Sequence, residues 1–439
     1  MAGRVRVRGG IQKGVYGAAV LLSAVLAACG SDSSGGNTVG QGPNALPAAA
    51  PDADAFYDAP AAIPDVPGTI LKYRAITYQP AGLSLPNPAW QLQYVTRDGH
   101  GRPLAAVTTV VKPLVPNLYG HPVLLSFQHA YDSLGAECTP SHTATGSSRN
   151  TTNMAETLEF LSPLQALGWT MVIPDYEGPY HAFGAGPLSG QATLDAIRAA
   201  LQFEPLGLAA DTPAALWGYS GGAYASSWAA ALHPSYAPEI QLVGAVSGGT
   251  PVDFVDIMQR NEDTSSFGFL FTLVIGMARD YPEVLPASLL TPMGADVVDA
   301  MKDSCEGTPP DGFTLDGGRM TDYVADDDPY HTPGFQTVMP KVTLLQADRV
   351  PTTDNYLYHE IDDELVPVAG ADALAAKWCA EGVPLNYFQS SAGTVTDTLP
   401  TGVHTSGAAI GTPAAIAYIA GRFANPAMSV TPPGTVRCN

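Results

Sequence analysis

Residues 214–232 read AALWGYSGGAYASSWAAAL, and the fold turns on how this stretch is read. Its first four letters are an apolar run that reads as a strand. From Gly222 onward, small residues carry apolar positions at helical spacing. Between the two, Gly218-Tyr219-Ser220-Gly221-Gly222 fits G-x-S-x-G. Alone the pattern says little in a chain with 45 glycines among 439 residues. Set between a strand and a helix it describes a nucleophile elbow, a tight turn that presents a serine hydroxyl at the sheet edge. The turn is strained and its backbones pack closely, so side chains two positions either side of Ser220 would clash. The helix behind Ser220 also points N–H groups toward developing negative charge. Ser247 in AVSGG is a decoy, because no glycine stands two residues before it.

Working outward, VLLSFQ (123–128), TMVIPDY (170–176), LVGAVSG (242–248), KVTLLQ (341–346), NYLYHE (355–360) and PLNYFQ (384–389) read as further strands. ATLDAIRAALQF (192–203), ADALAAKWCAE (371–381) and PAAIAYIAGRFA (413–424) read as helices, the last with Thr412 as N-cap and Pro413 at N1. Strands alternating with helices predict a mostly parallel sheet covered on both faces. The alternation breaks over 252–340, which holds helical pieces such as SFGFLFTLVIGMA and ADVVDAMKDSC among Pro/Gly/Asp-rich loops. So long a stretch inside a parallel core predicts an inserted cap. The expected core is then 54–251 together with 341–439.

The ends and the bulk numbers bound the setting. Arg4, Arg6, Arg8 and Lys13 precede an apolar AAVLLSAVLAA at 18–28, a targeting segment too short to span a bilayer. Leu26-Ala27-Ala28-Cys29 resembles a bacterial lipobox, so 1–28 is expected to be a lipoprotein-type signal peptide and Cys29 a lipidated first residue. Residues 29–53 are expected to be a flexible tether, polar and rich in small residues. The chain is therefore expected at the cell envelope, lipid-anchored or secreted. With 41 acidic and 20 basic residues, the net charge of −21 disfavours a nucleic-acid partner. Cys138, Cys305, Cys379 and Cys438 suggest two disulfides in an exported chain, with three pairings open. No Cys/His cluster has metal spacing, and no metal or organic cofactor is implied.

A serine hydroxyl at neutral pH needs a base, and on this type of elbow the order along the chain is Ser, acid, His. Of nine histidines, His404 alone lies beyond the acidic stretch IDDELVP at 361–367. It sits in GVHTSG, read as a loop before the last helix. Acid candidates are Asp348, Glu360, Asp362, Asp363 and Glu364. Asp348 follows KVTLLQ and is a rival, but NYLYHE and IDDELVP lead into the next core helix, which favours the later group. Asp362 and Asp363 point opposite ways in an extended chain, and the residues alone do not choose between them.

Together, PGTILKYR (67–74), SFQHAYDSLGAECTPSH (126–142), VIPDYEG (172–178), WGYSGGAYAS (217–226), DDELVP (362–367) and GVHTSG (402–407) make residues 54–439 resemble the microbial secretory lipases of the lipase A type. The resemblance implies an α/β-hydrolase core with a mainly helical cap inserted before the acid-bearing strand. It implies Asp363 as the acid, the Asp directly before Glu in the family's D-E-[IL]-V-P pattern. It implies an oxyanion hole of the Gly221 N–H and Asp132. An ionised Asp132 would repel an oxyanion, so this residue must act protonated or through its N–H. It also implies disulfides Cys138–Cys305, tying cap to core, and Cys379–Cys438. The expected protein is a monomeric serine ester hydrolase acting on lipid or acyl esters through Ser220, Asp363 and His404. Acyl transfer, polyester or wall-ester hydrolysis on the same triad, and a non-catalytic lipid-anchored binding protein are the alternatives.

Overall fold

The computed structural model describes residues 44–306, 317–346, 348–391, 402–427 and 430–439. Among the described residues, ten strands form one sheet: β1 (Ile70–Thr77), β2 (Pro88–Arg97), β3 (Pro103–Val111), β4 (Leu124–Gln128), β5 (Thr170–Pro174), β6 (Ala214–Tyr219), β7 (Leu242–Gly248), β8 (Asn355–Glu360), β9 (Leu385–Ser390) and β10 (Val436–Cys438). Their order is β1-β2-β3-β5-β4-β6-β7-β8-β9-β10. The run from β5 to β9 is parallel. Antiparallel strands extend it at both ends.

The central strands are apolar because both faces are covered. Side chains alternate between two cores as the strand period requires. Ala214 and Leu216 join the core under the helices Gly186–Gln202 and Gly221–Tyr236. Ala215, Trp217 and Tyr219 join the opposite one, which Tyr418, Ile419 and Phe423 of the helix Gly402–Ala424 cover. From β4 the chain crosses one way to β5 and then back past β4 to β6. That reversal falls between β4 and β6, and the usual ligand position in such sheets lies beyond the carboxyl ends of the strands at this point. The loop after β4 carries Asp132 and the turn after β6 carries Ser220.

Among the described residues no strand lies between Gly248 and Asn355. Helices Phe254–Asn261, Phe267–Asp280, Pro292–Met301 and Pro333–Val342 fill much of the interval. Nearly every residue of Phe267–Asp280 is buried, and its apolar side chains join the same core as Leu188, Leu216 and Trp228 of the sheet layer and its helices. The cap is joined to the sheet layer by the disulfide Cys138–Cys305, and Cys379–Cys438 fastens β10.

Three local expectations differ from what is observed. KVTLLQ is not a strand: Lys341 and Val342 end the helix Pro333–Val342 and a turn follows. Thr332 caps that helix by accepting the Phe335 N–H at 3.4 Å, and Phe335, Val338 and Val342 form one buried face. β-branched composition lost to the cap signal and the tertiary contacts. Thr412 and Pro413 do not open the last helix. It begins at Gly402, Pro413 lies inside it, and His404 therefore sits in its first turn instead of in a loop. Finally, residues 44–53 of the expected tether lie against the body. The Ala287 N–H donates to the Asn44 carbonyl at 2.8 Å, the Ala50 N–H donates to Asp303 at 2.6 Å, and Asp52 pairs with His142 at 2.7 Å. Cys29 and the targeting segment lie outside the described residues.

Candidate active site

Ser220 has φ 52° and ψ −122°, a conformation that side chains rarely adopt. The surroundings impose it. A Cβ on Gly218 would collide with the backbone of Gly222, and one on Gly222 with the Gln128 carbonyl of β4. The Ser220 N–H donates to the Gly248 carbonyl at 2.8 Å, and the Ser220 carbonyl accepts the Tyr224 N–H at 3.0 Å. The hydroxyl thus stands at the start of the helix Gly221–Tyr236, just beyond the carboxyl end of β6.

His404 Nε2 lies 2.8 Å from Ser220 Oγ and its Nδ1 lies 2.7 Å from Asp363 Oδ2. The second contact assigns the proton of a neutral ring to Nδ1, leaving Nε2 to accept from the serine. Asp363 Oδ1 accepts the N–H groups of Leu365 at 3.0 Å and Val366 at 2.8 Å. His359, buried in β8, lies 3.4 Å from Asp363 Oδ2. Burial would push the Asp363 carboxyl up, but the His404 and His359 rings outweigh it and hold the group well below the usual carboxylate range. Burial pushes the His404 imidazole down, and Asp363, Glu364 and Glu306 together carry it above its ordinary value.

The structure thus brings Ser220, Asp363 and His404 into one chain of hydrogen bonds and leaves the rival acids outside it. The Asp348 side chain is 94% exposed. Asp362 accepts from the Ser391 hydroxyl at 3.1 Å on the surface. Glu360 takes the Ser390 hydroxyl of the neighbouring strand. Glu364 accepts main-chain N–H groups at the start of the His404 helix.

Asp132 lies on the other side of the elbow. Its backbone is left-handed, φ 34°, and its carboxylate packs on Gly221 so closely that a Cβ there would overlap it. The side chain is buried and Oδ1 has no hydrogen-bond partner among the described residues. Asn150 fixes the loop by donating to the Tyr131 carbonyl at 2.9 Å and to Ser133 Oγ at 3.1 Å. The cap fixes it too: the Glu306 N–H donates to Ser133 Oγ at 3.1 Å, and Arg279 donates to the Leu134 carbonyl at 2.6 Å. Burial and the nearby Glu306 carboxylate push the Asp132 carboxyl well above its ordinary range. Glu156 and Glu177 are buried around the same loop and pushed up as well. Glu306 is pushed up to about 7 by burial. Sequence reading missed Glu306 and His359. Neither stands in a motif of its own, although Glu306 directly follows the cysteine expected to join cap and core. Among the described residues no group of three His, Cys, Asp or Glu could hold a metal ion.

The sequence pattern of the family described as Secretory lipase matches residues 144–430. A secreted triacylglycerol lipase of Malassezia globosa is 32% identical over 353 residues, 76% of this chain and 72% of its own length. Lipase 10 of Candida albicans is 32% identical over 393 residues, covering 85% of this chain and 81% of its own. Among solved structures, Candida antarctica lipase A in its closed state superposes with a TM-score of 0.74 at 25% identity, over 87% of this chain and 88% of that one. A rice cell wall degrading esterase from Xanthomonas oryzae shares the fold at 18% identity and a TM-score of 0.63.

Proposed function

The chain belongs to the secretory lipase family, and on that premise we propose that it is a secreted triacylglycerol-type lipase using Ser220, His404 and Asp363. The observation that carries the reading is the unbroken Asp363–His404–Ser220 chain at 2.7 and 2.8 Å. His404 Nε2 takes the Ser220 proton as Oγ attacks the ester carbonyl. Asp363, held ionised, stabilises the imidazolium that forms and keeps its ring oriented. The carbonyl oxygen becomes an oxyanion, held by the Gly221 N–H and by a neutral Asp132 carboxyl that donates its proton as a hydrogen bond. Collapse of the tetrahedral species expels the alcohol, which leaves with the proton from His404. Water then attacks the acyl-enzyme by the same route and releases the acid.

The acidic pocket around Asp132 supports its neutral role, since adjacent buried carboxylates cannot all ionise. The test is Ser220→Ala on emulsified triacylglycerol and on p-nitrophenyl esters of two to sixteen or so carbons. Hydrolysis is expected to fall to background on all of them, and wild-type rates in this variant would end the lipase reading. The sequence around Cys29 supports the further proposal that the chain is lipid-anchored at that residue. Labelled palmitate should then be incorporated on expression in a bacterial host and lost in Cys29→Ser, with the enzyme moving from the membrane to the soluble fraction.

A further inference from the structure

His404 is gripped twice by each of two sequence pairs. Asp363 and Ser220 hold its ring, and the residue next to each holds its main chain. Glu364 Oε2 accepts the N–H of Val403 at 2.9 Å and of His404 at 3.1 Å. The Tyr219 hydroxyl donates to the His404 carbonyl at 2.6 Å. His404 lies in the first turn of its helix, where an N–H has no carbonyl one turn back within the helix. An outside acceptor is needed, and Glu364 supplies it. The fit is close on both sides. Gly402 has φ 82° and a Cβ there would meet the Glu364 carboxylate, while a Cβ on Gly407 would crowd the Tyr219 hydroxyl. The Tyr219 ring also packs 5.3 Å from the His404 ring, centre to centre.

We propose that Glu364 and Tyr219 are positioning residues that clamp the His404 backbone, so that Asp363-Glu364 and Tyr219-Ser220 each hold the base by ring and by main chain. The inference rests on the triad reading of Ser220, Asp363 and His404. The physical reason is leverage. The ring must meet Oγ and Oδ2 together, and a misplacement of about 1 Å can lower turnover by about a hundredfold. Glu364 has a second effect, because its charge favours the imidazolium. The groups facing His404 are Asp363 and Glu364 from the turn after β8, Glu306 from the cap and Tyr219 from β6. Removing the Glu364 charge while keeping an oxygen acceptor lowers the His404 pKa and leaves most of the clamp.

The experiment compares Glu364→Ala, Glu364→Gln, Tyr219→Phe and His404→Ala. Readouts are kcat and KM for p-nitrophenyl butyrate across pH, and thermal melting as a check on folding. Glu364→Ala is expected to lose about ten- to a hundredfold in kcat with little change in KM. Glu364→Gln should recover most of that loss and shift the acid limb of kcat/KM to lower pH. Tyr219→Phe should lose about tenfold in kcat with the acid limb unmoved. If Glu364→Ala and Tyr219→Phe turn over like wild type while His404→Ala is inactive, the clamp is overturned and the triad stands. If His404→Ala is active, the triad reading itself fails. A Glu364→Ala loss confined to melting temperature, with the acid limb unmoved in Glu364→Gln, also overturns the clamp.

Discussion

Asp363 and Asp132 flank Ser220, and their surroundings push one kind of side chain in opposite directions. Asp363 sits in a turn beside two histidines and two main-chain N–H donors, so burial strengthens its pairing and the carboxylate stays ionised. Asp132 sits among Glu306, Glu156 and Glu177, with Oδ1 unpartnered among the described residues, so burial keeps its proton on. The difference suits each proposed role. In those proposed roles one carboxyl would stabilise a cation and the other would donate to an anion, and what separates them is their neighbours.

The sharpest way to break the contrast is on the ionised side. Asp363→Asn should hold the wrong His404 tautomer and lower kcat by about 10⁴, whereas Asp362→Asn should stay within about twofold, as a surface change does. Equal kcat for the two variants in a p-nitrophenyl ester assay would remove Asp363 from the triad. On the neutral side, Asp132→Ala should lower kcat by about 10²–10³ through loss of an oxyanion donor. Asp132→Asn keeps a donor and should lose far less.

A pH profile sharpens the comparison further. Wild-type turnover should fall at alkaline pH as Asp132 ionises, and Asp132→Asn should remain flat there. Glu306→Gln removes a neighbouring negative charge, so Asp132 should ionise earlier and the alkaline limb should move to lower pH. An unmoved limb would mean that the cap carboxylate does not set the state of Asp132.

The smallest expected effect extends the contrast to the whole fold. Asp175 is pushed up to about 7, and Asp195 and Asp280 to about 6, chiefly by burial. Their folded pKa values lie above the unfolded value, so the folded state binds more protons between the two. These carboxyls should then lower stability as pH rises from about 4 to 7, while the buried His129 and His181, pushed down to about 3, oppose them in part. The expected loss is on the order of 5 °C in Tm, and a melting temperature that rises over this window would contradict it.

The sequence was most legible where a structural device is short-range. Gly218 through Gly222 form a turn whose sequence pattern spans five residues, and the flanking periodicities identify its strand and helix. The order Ser, acid, His could likewise be counted along the chain. Legibility failed where distant contacts decide. KVTLLQ has strand composition, yet the N-cap Thr332, nine residues before Lys341, and the burial of Val338 and Val342 make its start helical. Thr412-Pro413 looked like a helix start, but Glu364 starts that helix ten residues earlier. Asp362 and Asp363 were indistinguishable as letters, because only the direction of the turn after β8 aims one at His404.

By itself the sequence determined the elbow, the alternating core and the interrupting cap, and it singled out Ser220 and His404 as candidate nucleophile and base, because spacing and chain order encode these. Its D-E-L-V-P resemblance singled out Asp363, and the fold places that residue against His404. Only the tertiary structure decided the electrostatics: which carboxylates gather around Asp132, which histidines face Asp363, and that Glu364 and Tyr219 meet the backbone of His404. These groups are far apart in the chain, and an ionisation state depends on distance and burial in space, which folding alone sets.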